Sequence, residues 1–399
     1  MAPNPFRWLV NSFVSLWLAI FSRSSKSLRI TGSEQASSAI PEWTPPPTAT
    51  EDLEWADLIS IDLSQASTAA GRRTLAKQML EAMTTQGFFY AINHGYTAEQ
   101  TRRVFSLANA TFDCVSKEEK EKYTVDDQKA EAYEGYKPRN VWQIEPGVYD
   151  SIEQYNINRK VYNREHPTFL RPYLKELEDF AKHNHFNVVF PILRLLAIGL
   201  ELPEDALVEQ HKFEGVDESS VRFMKYFPRS AEDELKTKNV WLKGHTDIGS
   251  VTVLWSQPIS GLQILSPDGK WRWVRHVENA LVINTGDVIN FLSGSYYKPT
   301  IHRVTQPPPS QSNLARVGVF YFSMANDDVK LLPHTESPVL QRVGIKDVPE
   351  NEEGAVLTMN EWRRSRTRLY GRNKTVRKVE GGLDVEEEEI AGVKVTQYN

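Results

Sequence analysis

Apolar residues recur along this chain at two different periods, and the change of period separates a helical first half from a strand-rich second half. Leu75, Met79, Leu80 and Met83 fall at helical spacing. They predict a helix over 74–86 that Gly87 can end, after a short strand over 59–63. The apolar run Phe88–Ile92 reads as a buried strand, closed by the turn formers Asn93-His94-Gly95. Residues 98–113 predict another helix, and the charge run 117–123 a solvated helical face. Aromatics and turn formers mix between 133 and 158, the pattern of strands and loops near a pocket. The longest helical pattern covers 171–200, carrying Leu174, Leu177, Phe180 and Ala181.

From Val221 the period shortens. A strand over 221–227 stops at Pro228, and 232–239 reads as a polar surface loop. Strand-like runs follow at 250–255, 261–265, 271–274, 280–284, 288–292, 300–304 and 317–323. Pro267-Asp268-Gly269-Lys270 has the chemistry of a hairpin turn, and Thr285-Gly286-Asp287 that of another tight turn. Many short strands at this spacing predict a β-sandwich or jelly roll with flanking helices. No period of about 20–50 residues repeats, which argues against a solenoid or propeller.

The first fifty residues differ from the rest. Residues 8–21 are mostly apolar but too few to cross a bilayer as a helix, which takes about 20. No acidic residue precedes Glu34, while Arg7, Arg23, Lys26 and Arg29 are basic. The pattern fits a targeting segment, a helix lying on a membrane surface, or a plain extension. Pro41 and Pro45-Pro46-Pro47 suggest a stiff linker, with the folded body starting near Leu53. The resulting division is an extension and linker at 1–50, a mixed region at 51–216, a β core at 217–325, and a helical segment with a tail at 326–399.

Composition narrows the chemistry. Of the 399 residues 40% are hydrophobic and 25% charged, as in a soluble globular protein, and the net charge of -5 offers nucleic acid no basic footprint. Cys114 is the single cysteine, so neither an internal disulfide nor a cysteine-rich zinc site is available. A reducing, intracellular and cytoplasmic location is the expectation, with a monomer assumed.

The candidate chemistry lies in Gly244-His245-Thr246-Asp247 and in Ile301-His302-Arg303-Val304. On an extended chain, side chains two apart share a face. Joined by a histidine from a distant strand, a His-x-Asp pair has the donors of a two-histidine, one-carboxylate Fe(II) site with open coordination positions. His94 reads as a turn residue. His183-Asn184-His185 reads as a polar helix face, since residues two apart on a helix diverge.

These pieces resemble the iron(II)/2-oxoglutarate-dependent dioxygenases of the isopenicillin N synthase-like group. The matching motifs are Gly87-Phe88-Phe89, Asn93-His94-Gly95, the stretch 222–228, His245-Thr246-Asp247, Gly261-Leu262-Gln263, Asn284-Thr285-Gly286-Asp287, His302-Arg303-Val304 and Arg316, in family order. The resemblance implies a double-stranded β-helix with flanking helices and a C-terminal helix near 358–370. It makes His245, Asp247 and His302 the iron ligands and Arg316 the partner of the distal carboxylate of 2-oxoglutarate. It further implies that 2-oxoglutarate and O2 become succinate and CO2 as a small organic substrate is oxidised, by hydroxylation, desaturation or ring formation.

The chain departs from the family in three places. Gly318 stands where a serine commonly assists the arginine, Lys225 and Phe227 replace Asn and Tyr, and Pro307-Pro308-Pro309 lengthens the interval to Arg316. The missing hydrogen bond to the co-substrate is then assigned to Tyr226, Thr300 or water, and Lys225 reads either as an edge-strand lysine in solvent or as part of the site. Tyr133, Tyr136, Tyr155 and Trp255 are candidate pocket walls by family location, with core packing the competing reading of each. The alternatives are a same-fold iron oxidase that does not use 2-oxoglutarate, and a non-catalytic binding module. A zinc hydrolase finds no His-Glu-x-x-His motif.

Overall fold

The computed structural model describes residues 40–125, 133–345, 356–369, 376–380 and 383–398, and the segment 8–21 lies outside them. Two antiparallel layers form its centre. In the larger sheet, Leu281–Thr285, Val251–Trp255, Arg316–Ser323 and Ser220–Tyr226 lie side by side. In the smaller, Trp271–Trp273, Leu262–Leu265, His302–Thr305 and Val240–His245 do the same. Four strands facing four is the jelly roll that the strand spacing predicts.

Side-chain parity divides the core into two parts. In the Arg316–Ser323 strand, Val317, Val319 and Tyr321 point to the helical side, while Phe320 points between the sheets. The paired strand behaves likewise, with Val221 and Phe223 on the helical side and Met224 and Tyr226 inside. The helices Ala69–Thr85, Ala98–Asp113 and Phe190–Gly199 add Leu75, Met79, Phe105, Leu193 and Leu196 to the helical-side cluster.

Several expectations need correction. Residues 288–292 form part of a helix, Asp287–Leu292, not a strand; Val288, Ile289 and Leu292 are buried at helical spacing. The 232–239 stretch contains the helix Ala231–Lys236, capped by Ser230, whose Glu234 is buried against Arg229 and Trp241. The long helix at 171–200 is broken by a π-helical turn, His183–Val189, just before Pro191. A proline inside a helix removes a donor and crowds the preceding turn, which the wider turn relieves. His185 and Asn184 are fully buried there, bonded to Tyr321 and Trp255, and do not form a surface face.

The ends also differ from expectation. The compact body starts at Ile40. Trp43 stacks on Phe105 at 4.6 Å, and the Pro47 carbonyl accepts from Gln311, so the proline stretch is packed rather than free. After the helix Met359–Leu369 the tail forms three strands, Val376–Glu380, Leu383–Ile390 and Val393–Tyr398, and Tyr398 pairs with Gly244. A Cβ on Gly244 would lie 2.9 Å from the Tyr398 Cβ, so this approach requires glycine. No helix among the described residues is long and apolar enough to cross a membrane.

Burial holds His183, His185 and His211 well below the usual imidazole range, at about 4, 3 and 4. Their folded values lie below the free value of about 6.5, so the unfolded chain binds more protons as pH falls from there toward 4. This stability is complete above pH ~6.5 and is lost on acidification. Denaturant unfolding in the presence of a chelator should lose on the order of 1–2 kcal/mol per histidine between pH 7 and 5. A flat profile over that window would contradict the burial of these imidazoles.

Candidate active site

His245 ends one strand of the smaller sheet and His302 begins its antiparallel neighbour, directly opposite in register. Their ring centroids are 4.5 Å apart. Asp247 follows on the loop that crosses to the larger sheet. Its Oδ1 lies 3.9 Å from His245 Nε2 and its Oδ2 3.7 Å from His302 Nε2. One donor atom from each residue lies within 4.8 Å of the other two. The structure thus brings together the three residues that the sequence nominates, with donor types suited to a divalent metal.

The local bonding prepares those donors. His245 Nδ1 donates to the Lys243 carbonyl at 2.8 Å and His302 Nδ1 to the Thr300 carbonyl at 3.1 Å. That choice of tautomer leaves each Nε2 with its lone pair directed at the site. Burial, reinforced by His302, pushes His245 down to about 4, which keeps it neutral. Burial alone would raise the Asp247 carboxyl. The two imidazoles and hydrogen bonds from Thr252 (2.6 Å) and Asn284 (2.8 Å) outweigh it and hold Asp247 below the usual carboxylate range. Asp287 N donates to the Asp247 carbonyl at 2.8 Å, and a Cβ on Gly286 would meet that carbonyl at 2.6 Å.

A cavity of about 160 Å³ runs between the sheets past these residues. Alternate residues of the paired strands line it: Ser220, Arg222, Met224 and Tyr226 from one, Arg316, Phe320 and Phe322 from the other. At about 3.3 Å per residue, Arg316 and Phe322 are separated by roughly 20 Å along the strand. Arg316 therefore marks one end of the cavity. It is 4% exposed, its Nε reaches only the Ile259 carbonyl at 3.4 Å, and its Nη1 has no partner. Burial lowers its pKa, and the Tyr226 ring lies 5.4 Å from the guanidinium. A buried guanidinium left short of acceptors fits an anionic ligand at this end.

The profile of the 2OG-Fe(II) oxygenase superfamily matches residues 218–325, and that of the N-terminal region of the non-haem dioxygenase in morphine synthesis matches 59–176. Scopoletin 8-hydroxylase of Arabidopsis thaliana is 30% identical over 289 residues, 71% of this chain and 75% of that protein. The chain belongs to the Fe(II)/2-oxoglutarate-dependent oxygenases. The 2-oxoglutarate-Fe(II) type oxidoreductase hxnY of Emericella nidulans is 25% identical over 76% of this oxygenase and 88% of its own length. A full-length Neurospora crassa protein, solved in complex with alpha-KG, shares the fold at a TM-score of 0.65 and 22% identity, over 81% of this chain and 99% of its own. The rice dioxygenase for auxin oxidation shares it at 0.58 and 18%, over 78% and 95%. As a member of the isopenicillin N synthase-like class, this oxygenase is a 2-oxoglutarate-dependent non-haem iron enzyme.

The oxygenase places other nominated residues away from the cavity. Tyr133 lines it, but Tyr136, Tyr155 and Trp255 pack into the helical-side core. The Thr300 hydroxyl donates to the Gln86 carbonyl, so it does not serve the site. Lys225 lies in an interior strand and donates to Asp113 and Asn109, away from both solvent and cavity. His94 bonds the Asn279 carbonyl and packs edge-on against Trp255. Sequence reasoning missed Thr252, Glu218, Arg222 and Arg366 as neighbours of the site. Strand parity with Tyr226 would have exposed Arg222.

Replacing Asn284 by Ala removes one of the two side-chain donors to Asp247. Anaerobic Fe(II) titration should then show affinity reduced about 10–100-fold with the fold intact. Unchanged affinity would mean that this hydrogen bond does not orient the carboxylate.

Proposed function

We propose that His245, Asp247 and His302 hold Fe(II), and that Arg316 with Tyr226 binds the distal carboxylate of 2-oxoglutarate, in an enzyme that oxidises a small organic molecule. The observation carrying this reading is Arg316: a buried guanidinium with an unpaired Nη1, in the same cavity as the triad. The planar fork matches a carboxylate in two hydrogen bonds, which a lysine could not supply.

Gly318 explains why the arginine needs a different helper. A Cβ there would lie 2.5 Å from the Phe320 ring, so the ring fills the space where a serine would sit. The Tyr226 hydroxyl has only the Met224 sulfur at 3.5 Å and is free to turn to a stronger acceptor. Burial pushes this phenol up to about 12, so it stays protonated and donates.

When bound, the iron and 2-oxoglutarate would supply, with O2 as the oxidant, oxidative decarboxylation to succinate and CO2 coupled to oxidation of the substrate. The protein's part is placement. His245 and His302 present their Nε2 atoms, Thr252 and Asn284 fix one carboxylate oxygen of Asp247, and Arg316 would set the distance of the co-substrate from the triad. Phe88, Leu254, Leu262, Val304 and Phe320 line the cavity with apolar surface that keeps water from the reacting centre.

Succinate release from 2-oxoglutarate is the assay. His245→Ala should abolish it, and Arg316→Gln should raise the KM for 2-oxoglutarate about 10–100-fold, the range for a charge-assisted hydrogen bond. Tyr226→Phe should raise it about 3–10-fold, as for a neutral one. An Arg316→Gln enzyme with unchanged KM would place the co-substrate elsewhere.

A further inference from the structure

A second buried guanidinium borders the cavity beside the triad. Arg366, on the helix Met359–Leu369, is 2% exposed and lines the cavity, yet its Nε has no partner. Its Nη2 donates to the Thr246 carbonyl at 3.3 Å, between His245 and Asp247 in sequence. The same Nη2 also forms an ion pair with the Asp287 carboxylate at 3.6 Å, longer than a hydrogen bond, which leaves Nε unmatched.

Arg363, one helical turn earlier, shows what a satisfied arginine looks like here. It grips both carboxylate oxygens of Asp327, at 2.9 and 2.8 Å, and pairs with Glu218. Glu218, the other acid along the cavity wall besides Asp247, is thereby committed to Arg363. Arg366 keeps an unused donor in a nearly dry setting, where leaving a charged group short of acceptors is costly. Arg222 also lines the cavity, its guanidinium 4.2 Å from the Phe322 ring, and adds positive potential. The neighbouring walls are apolar or aromatic: Tyr133, Trp142, Ile248, Phe322 and Met324.

We propose that Arg366 anchors a carboxylate of the primary substrate, which makes that substrate a small organic acid with an apolar body. This inference rests on the reading of the enzyme as a 2-oxoglutarate-dependent oxygenase and names the substrate class for its cavity. Arg316 takes the co-substrate's carboxylate at one end, and Arg366 takes the substrate's beside Thr246. Arg366 acts through substrate binding, so its loss should change substrate affinity and leave the metal and the co-substrate in place.

The test uses the full chain loaded anaerobically with Fe(II) and 2-oxoglutarate. The probes are phenylacetate, 4-phenylbutyrate and decanoate, each paired with its primary amide, and binding is read from tryptophan fluorescence because Trp142 lines the cavity. At least one acid should bind about ten-fold or more tightly than its amide, the range for a charge-assisted hydrogen bond. Arg366→Gln should bring each pair within about two-fold, while Arg366→Lys keeps part of the preference. The proposal is overturned if amides match acids in every pair, if neither form binds, or if the preference survives Arg366→Gln. It is also overturned if Arg366→Gln no longer retains Fe(II), since the residue would then be a support for the Thr246 loop. Succinate release from 2-oxoglutarate by the unaltered enzyme separates the two readings: an enzyme that makes succinate but shows no acid preference loses only the role given to Arg366.

Discussion

The antiparallel register that sets His302 opposite His245 is the constraint on which the site depends. A slip of one residue would turn either imidazole to the far side of the sheet and disperse the donors. Both rings are held in the same way, by Nδ1–H bonded to the carbonyl two residues earlier in the chain. Tyr398 pairs with Gly244 beside one of them, and Lys243 on the other side of that glycine meets Glu386 at 2.9 Å, both buried. The C-terminal strands thus brace the strand that carries His245.

Strand parity extends this constraint into a binding cavity. The alternation that sends Val317, Val319 and Tyr321 to the helical core sends Arg316 and Phe320 between the sheets. One strand therefore delivers both the buried guanidinium proposed to meet the co-substrate and the apolar wall beside it. The large sheet supplies this wall and the two donors to Asp247, from Thr252 and Asn284, while the small sheet supplies the histidines. The two layers divide the work, and the Asp247 loop joins them.

The sequence was most legible where period and burial agree. The strands at 251–255, 262–265 and 316–323 are short runs buried on both faces, and the helix 98–113 has a clear apolar face and a capping box at Thr97. Legibility failed where a tertiary partner decides the outcome. Val288, Ile289 and Leu292 suit a buried helix as well as a strand, so a five-residue apolar run could not choose between them. Four consecutive glutamates, 386–389, concealed a strand in which Glu386 and Glu388 are buried while Glu387 meets Lys378 and Lys394. In the site, the grouping of His245, Asp247 and His302 was legible from residue type and spacing, whereas Arg316 was singled out by the family resemblance. Tyr136, Tyr155 and Trp255 looked like pocket walls, but one face of a sheet cannot be told from the other without its partners. Arg366 carried no signal, because its setting is made by a loop more than a hundred residues away in sequence.

The most direct test of the central claim is a crystal structure grown anaerobically with Fe(II) and 2-oxoglutarate. The expected result is one metal bonded by His245 Nε2, His302 Nε2 and an Asp247 oxygen, with the far carboxylate of 2-oxoglutarate on the Arg316 guanidinium. A metal bound without His302, or a co-substrate whose far carboxylate lies away from Arg316, would contradict it.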